Sequence, residues 1–477
     1  MQNEAESDAK SLISNFPYSY QVTAKAIDIT SNYSKYEGKK VSLAGRAVGV
    51  RKAGKLLFID LLDSTGKIQA YFEFTQLGED VFNKAKAFNS GDIIGIEGEV
   101  FKTTPGQISV KVAKYVQLAK SLRVLPDKWH GMSDVELRYR KRHLDLIMNP
   151  EVRKIFVTRS KTIRLIQEFL DSRGFMEFET PIIQPLYGGA DAEPFKTFVN
   201  TVHEEHYLRI SDELYLKRLI IGGFDKVYEF CHDFRNEDTD TTHHPEFTMI
   251  EWYQAYADYN DMMKLTEEMF EFLAKRLLDS TDVPYQGKKL SFKGPFKRIK
   301  YIDGINEKLG VDVMKLSDEE LFALAEKQGI KFIKGKRTRA HAYDKLMEEC
   351  VQKHIIQPTF VIDFPRETSP LTRPKRGNPA LVERFELYVD GVEINNAYSE
   401  LTNPFIQKEN FDAEAKKAAL GDKEAEPTDT SFIEAMEQGM PPTGGLGMGI
   451  DRLVMLLTDK PSIKEVILFP IEKRGQK

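Results

Sequence analysis

The sequence predicts an α+β protein, with a small closed β-barrel at the N-terminus and a larger domain on a mostly antiparallel sheet flanked by helices. Five short strand patterns between residues 40 and 119 predict the barrel. After residue 150, strand and helix patterns intermingle without a regular strand–helix–strand repeat, which favours an antiparallel sheet over a doubly wound one. The 477 residues, 41% hydrophobic and 30% charged, suffice for two or three domains with filled cores.

The barrel strands are expected at residues 41–50, 57–62, 67–72, 91–96 and 107–112, with a hairpin turn at 63–66. Five strands in this length are typical of the OB-fold. Phe58, Gln69, Tyr71 and Phe72 lie on the central hairpin, where rings can stack on unpaired bases and an amide can read a base edge. Alternation places Phe58 with Asp60 on one face and Gln69 with Tyr71 on another, and the alternative is that about half of these aromatics are core.

Charge, cysteine content and hydropathy exclude several classes of protein. The net charge of −5 gives no global attraction to nucleic acid, so RNA contacts must use local patches. The two cysteines, Cys231 and Cys350, argue against a disulfide framework or a cysteine zinc site. The sequence has no long apolar stretch, secretory signal or transit peptide, so we expect a cytoplasmic protein that does not contact a membrane.

Changes of pattern set the expected domain boundaries. They predict an N-terminal segment at 1–30, the barrel domain at 31–120, a linker at 121–150 and the large domain at 151–477, with a helical insertion around 289–357. Residues 152–170 keep helical spacing up to a C-cap at Gly174, and 175–181 resemble a strand ended by proline. Further strands are expected at 207–210 and 226–230, and a solvated helix or loop at 408–426.

Residues 234–248 predict a strand that enters a polar loop. Arg235 can hold a phosphate, Glu237 can accept from an amine and Phe247 can stack a ring. The adjacent His243 and His244 invite a metal interpretation, but neighbouring side chains on extended backbone point in opposite directions. The alternative for the whole segment is a charged hairpin tip.

Residues 384–400 predict a hairpin turned by Asp390-Gly391. Glu386 and Glu393 fall on its two arms and can meet around a hard cation such as Mg²⁺. Three residues spaced by two share one strand face and offer an amide, a ring and a carboxylate to a cationic side chain: Asn396, Tyr398 and Glu400. The alternative is an amphipathic strand with a solvent face.

Residues 444–453 form a glycine-dense run that leads into a helical pattern with Arg452 in its first turn. Glycines let a backbone approach a ligand, a helix N-terminus favours negative charge, and an arginine fork matches phosphate oxygens. The run therefore predicts a phosphate or nucleotide site. The alternative is a glycine turn before a core helix, with a surface arginine.

Together these segments resemble the signature motifs of the class II aminoacyl-tRNA synthetases, most closely the lysine-specific members of subclass IIb. Residues 174–185 resemble motif 1, 234–252 motif 2 and 444–458 motif 3, with further similar stretches at 125–131, 207–218 and 255–259. The resemblance covers nearly the whole chain. It implies an OB-fold anticodon-binding domain, a class II catalytic domain and a homodimer formed through the motif 1 region.

The resemblance also implies a role for each matching position. Arg235 and Arg452 would be the catalytic residues, and Glu386 and Glu393 would hold Mg²⁺. ATP would be bound by Arg235, Glu237, His243, Phe247, Glu386 and Arg452. Lysine would be bound by Gly189, Glu213, Tyr253, Asn396, Tyr398 and Glu400, and the tRNA anticodon by Phe58 and Gln69. Glu213 would take the α-amino group, and Tyr253 and Glu400 the ε-ammonium.

The implied activity joins lysine to tRNA(Lys) with ATP. The chain departs from the usual pattern at four places outside the core lysine and ATP positions: Glu193, Ser211-Asp212, Asp238 and His244. One alternative is an aspartyl- or asparaginyl-type synthetase of the same subclass. Others are a non-catalytic nucleic-acid-binding relative, and an enzyme that attaches lysine to a protein, although such relatives lack the barrel.

Overall fold

The computed structural model describes residues 16–123, 125–126, 134–332, 337–419 and 427–473. They belong to two compact units, Met1–Ser133 and Asp134–Lys477. Five parts of the predicted features lie outside the described residues: 1–15 of the N-terminal segment, 124 and 127–133 of the linker, 333–336 of the helical insertion, 420–426 of the solvated segment, and 474–477 at the end of the large domain. Within the described ranges, none of the helices has both the length and the apolarity that a membrane span requires.

The first unit contains a closed five-stranded barrel, which confirms the predicted barrel. Its strands are β1 Lys40–Ala53, β2 Leu56–Leu62, β3 Lys67–Glu73, β4 Ile93–Lys102 and β5 Ile108–Ala119. Its helices are α1 Ala26–Ser31, α2 Tyr33–Tyr36, α3 Phe74–Leu77 and α4 Glu79–Ala85. The strands close in the order β1-β2-β3-β5-β4. Alternate residues of β2, Leu57, Ile59 and Leu61, are buried and fill the interior.

The second unit is built around a mixed sheet of nine strands. The strands of the whole unit, within and outside this sheet, are β6 Met176–Glu177, β7 Ile183–Gln184, β8 Lys196–Val199, β9 Glu204–Leu208, β10 Lys226–Phe234, β11 Glu246–Ala255, β12 Asp282–Tyr285, β13 Lys288–Ser291, β14 Lys297–Lys300, β15 Thr359–Pro365, β16 Pro374–Lys375, β17 Asn378–Val389, β18 Val392–Ser399 and β19 Thr443–Gly449. The large sheet has the order β14-β15-β17-β18-β19-β11-β10-β6, with β16 beside β17. The pairs β14–β15 and β6–β10 at its two ends are parallel, and the inner pairs are antiparallel, as predicted.

Helices of the second unit pack against both faces of this sheet. They are α5 Val135–Arg140, α6 Arg142–Met148, α7 Pro150–Asp171, α8 Glu213–Ile221, α9 Tyr259–Leu278, α10 Tyr301–Leu309, α11 Asp318–Lys327, α12 Arg339–Cys350, α13 Pro404–Ala419, α14 Thr430–Glu437, α15 Ile450–Leu457 and α16 Ile463–Val466. Phe169 of α7, Phe270 of α9 and Leu453 of α15 share one apolar core with Trp252 of β11. Because strand side chains alternate, the neighbours of Trp252 on β11 lie on the opposite face of the sheet.

Local signals explain where several elements begin and end. Pro150 opens α7, where its missing N–H is not needed, and Gly174 follows the helix in a left-handed conformation with φ of 80°. Asp390 and Gly391 both have positive φ, at 51° and 76°, as a tight hairpin turn between β17 and β18 requires. The predicted hairpin is therefore confirmed.

The structure differs from the sequence-based expectation in four places. The strand expected at 175–181 is ordered as a strand only over Met176–Glu177, and the linker region contains α5 and α6. Residues 288–300 contribute β13 and β14, so the helices of the expected insertion begin at Tyr301. The glycine-dense run is the strand β19, which excludes the alternative of a glycine turn.

Candidate active site

A cavity of about 450 Å³ lies in the second unit, beside the central strands of the large sheet. The residues predicted to bind the two small molecules and the metal all line it: Gly189, Glu213, Arg235, Glu237, His243, Phe247, Tyr253, Glu386, Glu393, Asn396, Tyr398, Glu400 and Arg452. Their individual roles remain predictions. The structure does bring together residues from five separate stretches of sequence, at 189, 213, 235–253, 386–400 and 452.

Two buried carboxylates form the acidic end of the cavity. Glu213 is the first residue of α8, and Glu400 directly follows β18; they are 5% and 1% exposed. The ammonium of Lys217 contacts Oε1 of Glu213 and lies 2.6 Å from Oε2 of Glu400. Oε1 of Glu400 is buried and has no hydrogen-bond partner in the described part of the chain. A buried carboxylate oxygen in this state is an acceptor suited to a cationic ligand.

The ionisation of these acids reflects their burial. Burial raises the pKa of Glu400 to about 8, although Lys217 opposes the rise. Burial likewise raises the pKa of Glu213, again against the influence of Lys217. A bound cation would favour the ionised form of both groups.

Tyr253 lies beside the acidic end, and the hydrogen of its hydroxyl group is used in a hydrogen bond within the protein. The hydroxyl donates to Oε2 of Glu251 at 2.7 Å, and the hydroxyl of Ser211 donates to Oε1 of Glu251 at 2.8 Å. Burial raises the pKa of Tyr253 well above its ordinary value, so the phenol stays neutral. Its oxygen therefore retains lone pairs for a donor in the cavity.

A chain of hydrogen bonds fixes the predicted contact for the substrate carboxylate. Arg384 Nε donates to Asn396 Oδ1 at 3.1 Å, and Asn396 Nδ2 donates to the Tyr398 hydroxyl oxygen at 3.0 Å. A second nitrogen of Arg384 donates to the carbonyl of Thr368 at 2.9 Å and to the hydroxyl of Ser369 at 2.8 Å. Arg384 thus holds the face that Asn396 and Tyr398 present to the cavity.

Gly445 provides space for the acidic end. It lies between Tyr253 of β11 and Tyr398 of β18, its partners across the two neighbouring strands. A Cβ at this position would lie 2.1 Å from Oε1 of Glu400 and 2.4 Å from Cε1 of Tyr253. Glycine is needed here because neighbouring side chains lie over the strand.

Glu386 and Glu393 occupy the two arms of the β17–β18 hairpin. Arg384 and the Tyr388 hydroxyl both donate to Glu386. Burial raises the pKa of Glu386 to about 7; Arg384 opposes this change, and the charge of Glu393 adds to it. Two oxygen-bearing groups that repel one another fit a hard divalent cation, which would relieve the repulsion.

The predicted phosphate and base contacts lie side by side. The guanidinium of Arg235 stands 5.0 Å from the ring centroid of Phe247, and two of its nitrogens lie 3.4 Å from the carbonyl oxygen of Ile210. Glu237 accepts a hydrogen bond from the backbone N–H of Glu193 at 3.3 Å. One side of the pocket thus combines a cation with an aromatic face, as nucleotide binding needs.

Arg452 connects this loop to the hairpin. It donates to the carbonyl of Glu393 at 2.8 Å and to His243 Nε2 at 3.0 Å. Because Arg452 can only donate, His243 Nε2 must accept, and the proton of the ring lies on Nδ1, which is 2.8 Å from Asp240 Oδ2. Asp240 is partly buried, but hydrogen bonds from Thr242 and His243 lower its pKa to about 2.

The first turn of α15 is tied to β11 below the cavity. Asp451 accepts from the backbone N–H of Thr248 at 2.7 Å and pairs with Arg159 of α7. Arg159 also donates to the Thr248 hydroxyl at 2.8 Å. These contacts set the position from which Arg452 reaches the cavity.

The alternative metal sites are not supported. His243 contacts Arg452 and Asp240, and His244 bonds to the carbonyl of Glu246 at 2.5 Å and to the N–H of Ile471 at 2.9 Å. Both rings are therefore committed to protein contacts. In the described residues, one cluster of three groups has metal-like spacing, Asp212, Cys231 and Asp233. Burial raises the pKa of each of the three, which favours protonated groups over metal ligands.

The barrel carries a second cavity of about 530 Å³ on its outer surface. Its lining includes Phe58, Gln69 and Tyr71, and the rings of Phe58 and Tyr71 lie 5.4 Å apart. Phe58 and Tyr71 are directly opposite on β2 and β3, so they share one face, which corrects the prediction of two faces. Phe72 is fully buried and belongs to the core. Gln69 is 9% exposed, and its Oε1 accepts from the Ser109 hydroxyl at 2.9 Å.

Several residues of the site were absent from the sequence-based prediction. Lys217 lies four residues after Glu213, a spacing that places both on one helix face. Arg384 lies two residues before Glu386 on the same strand face. Glu251 alternates with Tyr253 in the same way. Each was detectable from its spacing, but its partner across the sheet was not.

Comparisons with known proteins agree with the geometry. Residues 134–473 match a family described as tRNA synthetases class II (D, K and N), and 41–118 match one described as OB-fold nucleic acid binding domain. A lysine–tRNA ligase of Clostridium perfringens (strain 13 / Type A) is 48% identical over 96% of this chain and 92% of its own length. Ligases of the same name from Clostridium botulinum (strain Loch Maree / Type A3) and Thermoanaerobacter pseudethanolicus are 48% and 47% identical, over 96% and 95% of this chain and 91% of each relative.

Substitution of Gly445 tests whether the acidic end receives the predicted lysine ligand. In Gly445→Ala, the added methyl group would displace Glu400 and Tyr253, so we expect the lysine KM to rise at least about ten-fold, equivalent to 1.4 kcal/mol. The ATP KM should change little. Gly66→Ala is the matched control, because a Cβ at Gly66 meets nothing within 4 Å. An unaltered lysine KM in Gly445→Ala would place the ligand elsewhere.

Proposed function

The chain belongs to the class II tRNA synthetases (D, K and N), and we propose that it is a lysine–tRNA ligase. In this proposal, lysine and ATP form lysyl-adenylate and pyrophosphate, and the lysyl group then passes to the 3′ end of tRNA(Lys). One observation carries the choice of amino acid: the buried, unpartnered Oε1 of Glu400 in the cavity lining. Relatives named lysine–tRNA ligase, 47–48% identical over nearly the whole chain, support it.

Charge distribution favours lysine over aspartate or asparagine. An acidic or amide side chain would call for an uncommitted cationic or amide partner at the inner end of the cavity. The two cations there, Lys217 and Arg384, are committed: Lys217 to Glu213 and Glu400, Arg384 to Asn396, Ser369, the Thr368 carbonyl and Glu386. What remains is acceptor oxygen on Glu400 and Tyr253, which suits an ammonium group.

The chemistry needs no covalent protein nucleophile. The lysine carboxylate would attack the α-phosphate of ATP, with Glu213 holding the α-amino group and Asn396 orienting the carboxylate. Arg235 would neutralise charge on the α-phosphate, and Phe247 would stack on the adenine. Arg452 would bind the γ-phosphate and cover the other face of the base, while Glu237 and His243 help to seat the nucleotide. Alignment and charge neutralisation would supply the rate enhancement.

Glu386 and Glu393 would hold Mg²⁺. The metal, when bound, would neutralise phosphate charge. Arg384 and Tyr388 would keep Glu386 oriented toward it through the hydrogen bonds they donate. The retention of these carboxylates together with Arg235 and Arg452 argues against a non-catalytic relative, and the barrel argues against an enzyme that lysylates proteins.

We also propose a homodimer in the cytoplasm. The predicted motif 1 region and the three-stranded sheet β7-β9-β8, whose first strand lies in it, expose large apolar side chains, as an interface between two copies would require: Met176, Ile182, Ile183, Leu186, Phe198 and Val202. The tRNA anticodon would lie on the barrel cavity, with Phe58 stacking on a base and Gln69 contacting a base edge.

Glu400→Gln tests the substrate assignment. Removing the partner of a buried ammonium costs about 3–5 kcal/mol, so the lysine KM should rise on the order of 100-fold or more, with the ATP KM nearly unchanged. Because the pKa of Glu400 is raised to about 8, kcat/KM for lysine in the wild type should increase with pH as this carboxyl ionises.

Pyrophosphate exchange with each amino acid in turn is the measurement for Glu400. Wild-type protein should respond to lysine and the Glu400→Gln variant should lose the response at low lysine concentration. Glu319→Gln, an exposed acid on α11, is the control. Exchange stimulated by aspartate or asparagine instead of lysine would contradict the proposal.

Because both predicted metal ligands, Glu386 and Glu393, are carboxylates, we expect the activity to require a hard divalent cation. Treatment with EDTA should abolish adenylate formation, and Mg²⁺ or Mn²⁺ should restore it without zinc. In Glu393→Gln the Mg²⁺ concentration for half-maximal exchange should rise, because one of two carboxylates is lost. Restoration that required zinc would refute the assignment.

Phe58→Ala tests whether the barrel contributes to tRNA charging without contributing to adenylate formation. Loss of one stacked base costs roughly 1–3 kcal/mol, so tRNA charging should weaken about ten-fold or more. Lysine-dependent pyrophosphate exchange should stay near the wild-type rate, since it needs no anticodon. Tyr18→Ala removes a fully exposed aromatic outside the barrel cavity and serves as the control. Equal losses in both assays would identify Phe58 as a structural residue.

A further inference from the structure

Lys217 is a buried cation that the predicted roles leave unexplained. It is 1% exposed, and its ammonium contacts both carboxylates assigned to the two amino groups of lysine. It lies one turn after Glu213 on α8, whereas Glu400 reaches it from the end of β18. One internal ammonium thus bridges two acids from distant parts of the chain.

The bridge uses one oxygen of each carboxylate. Lys217 contacts Oε1 of Glu213 and Oε2 of Glu400, while Oε1 of Glu400 has no hydrogen-bond partner in the described residues. The same ammonium therefore fixes both acids without occupying the oxygen assigned to the ligand. The spacing between the two ammonium-binding groups is set by a single side chain.

Lys217 also balances negative charge on Glu213 and Glu400 that the other neighbouring groups do not balance. The groups that face Glu400 are Lys217 and Glu213 from α8, Glu251 and Tyr253 from β11, and Tyr398 from β18, with Arg384 beyond. Glu251 adds negative charge, and Arg384 is committed to other acceptors. Without Lys217, two buried carboxylates would repel one another, and protonation would relieve that repulsion.

We propose that Lys217 is a specificity-determining positioning residue, an internal ammonium that favours the ionised forms of Glu213 and Glu400 and holds the two acids at the correct spacing, so that the cavity selects an amino acid with two ammonium groups. The inference rests on the proposed function, because it takes lysine as the ligand. Lys217 itself does not touch the reacting atoms. Its loss should therefore alter recognition of the side-chain charge more than the use of ATP.

The test compares Lys217→Met with Lys217→Arg in the full-length protein. Pyrophosphate exchange gives the KM for lysine and for ATP, and norleucine, whose side chain has the same four carbons as lysine but no ε-ammonium, is measured as an inhibitor. In Lys217→Met, the lysine KM should rise at least ten-fold and the ATP KM stay within about two-fold. The ratio of the norleucine inhibition constant to the lysine KM should fall at least ten-fold. Lys217→Arg should restore most of this selectivity.

Controls separate recognition from structural damage. Ile220→Ala removes buried packing from the same helix without changing charge, so it should lower stability and leave the ratio unchanged. Lys217→Gln repeats the measurement if the methionine variant melts below the assay temperature. A folded neutral variant with the wild-type ratio would overturn the inference. Failure of both neutral variants to fold, with an active Lys217→Arg, would make Lys217 a structural residue and would overturn it too.

The two proposals fail differently. Absence of lysine-dependent exchange in the wild type would refute the proposed function. Lysine-dependent exchange in the wild type, together with equal increases of lysine and ATP KM in Lys217→Met, would refute only the role of Lys217.

Discussion

The register of three neighbouring strands holds the whole site together. In one row across β18, β19 and β11, Tyr398 faces Gly445, and Gly445 faces Tyr253. In the next row, Asn396 faces Gly447, and Gly447 faces Glu251. A slip of one residue in any of these strands would turn its polar side chains to the face packed around Trp252. The antiparallel ladder therefore fixes which groups meet in the cavity, and the glycines of β19 leave the space in which they meet.

Buried charge is the second constraint, and it explains why acids and cations alternate under the cavity. Lys217 pairs with Glu213 and Glu400, and Arg384 with Glu386. Arg209 pairs with Glu229 at 2.6 Å and lies 3.6 Å from Asp233. Removal of one member of such a group leaves its partner buried and unpaired, which is far costlier than loss of a surface pair. We therefore expect single substitutions among these buried charged groups to be costly.

Sequence patterns predicted the parts of this arrangement that depend on local geometry. Asp390-Gly391 predicted a hairpin because few other residues accept positive φ at both turn positions, and spacing by two placed Asn396 and Tyr398 on one face. The role of the glycine-dense run was only partly predicted. Its nearness to a helix suggested phosphate binding, but the reason for Gly445 lies in Glu400 and Tyr253, which contact it only after the strands have paired.

Other features depend on contacts between residues distant in sequence, so local sequence patterns could not predict them. Phe58, Tyr71 and Phe72 look alike as aromatic residues in strands, and only closure of the barrel assigns Phe72 to the core and the other two to the surface. The contacts of Arg452 also depend on long-range pairing, because Arg452 contacts Glu393 and His243 across more than fifty residues of sequence. Binding of a metal and a polyphosphate would then exchange these partners instead of burying new unpaired charge, which keeps the electrostatic cost of binding low. The protein groups that neutralise one another in this structure are the same groups that would neutralise the ligands.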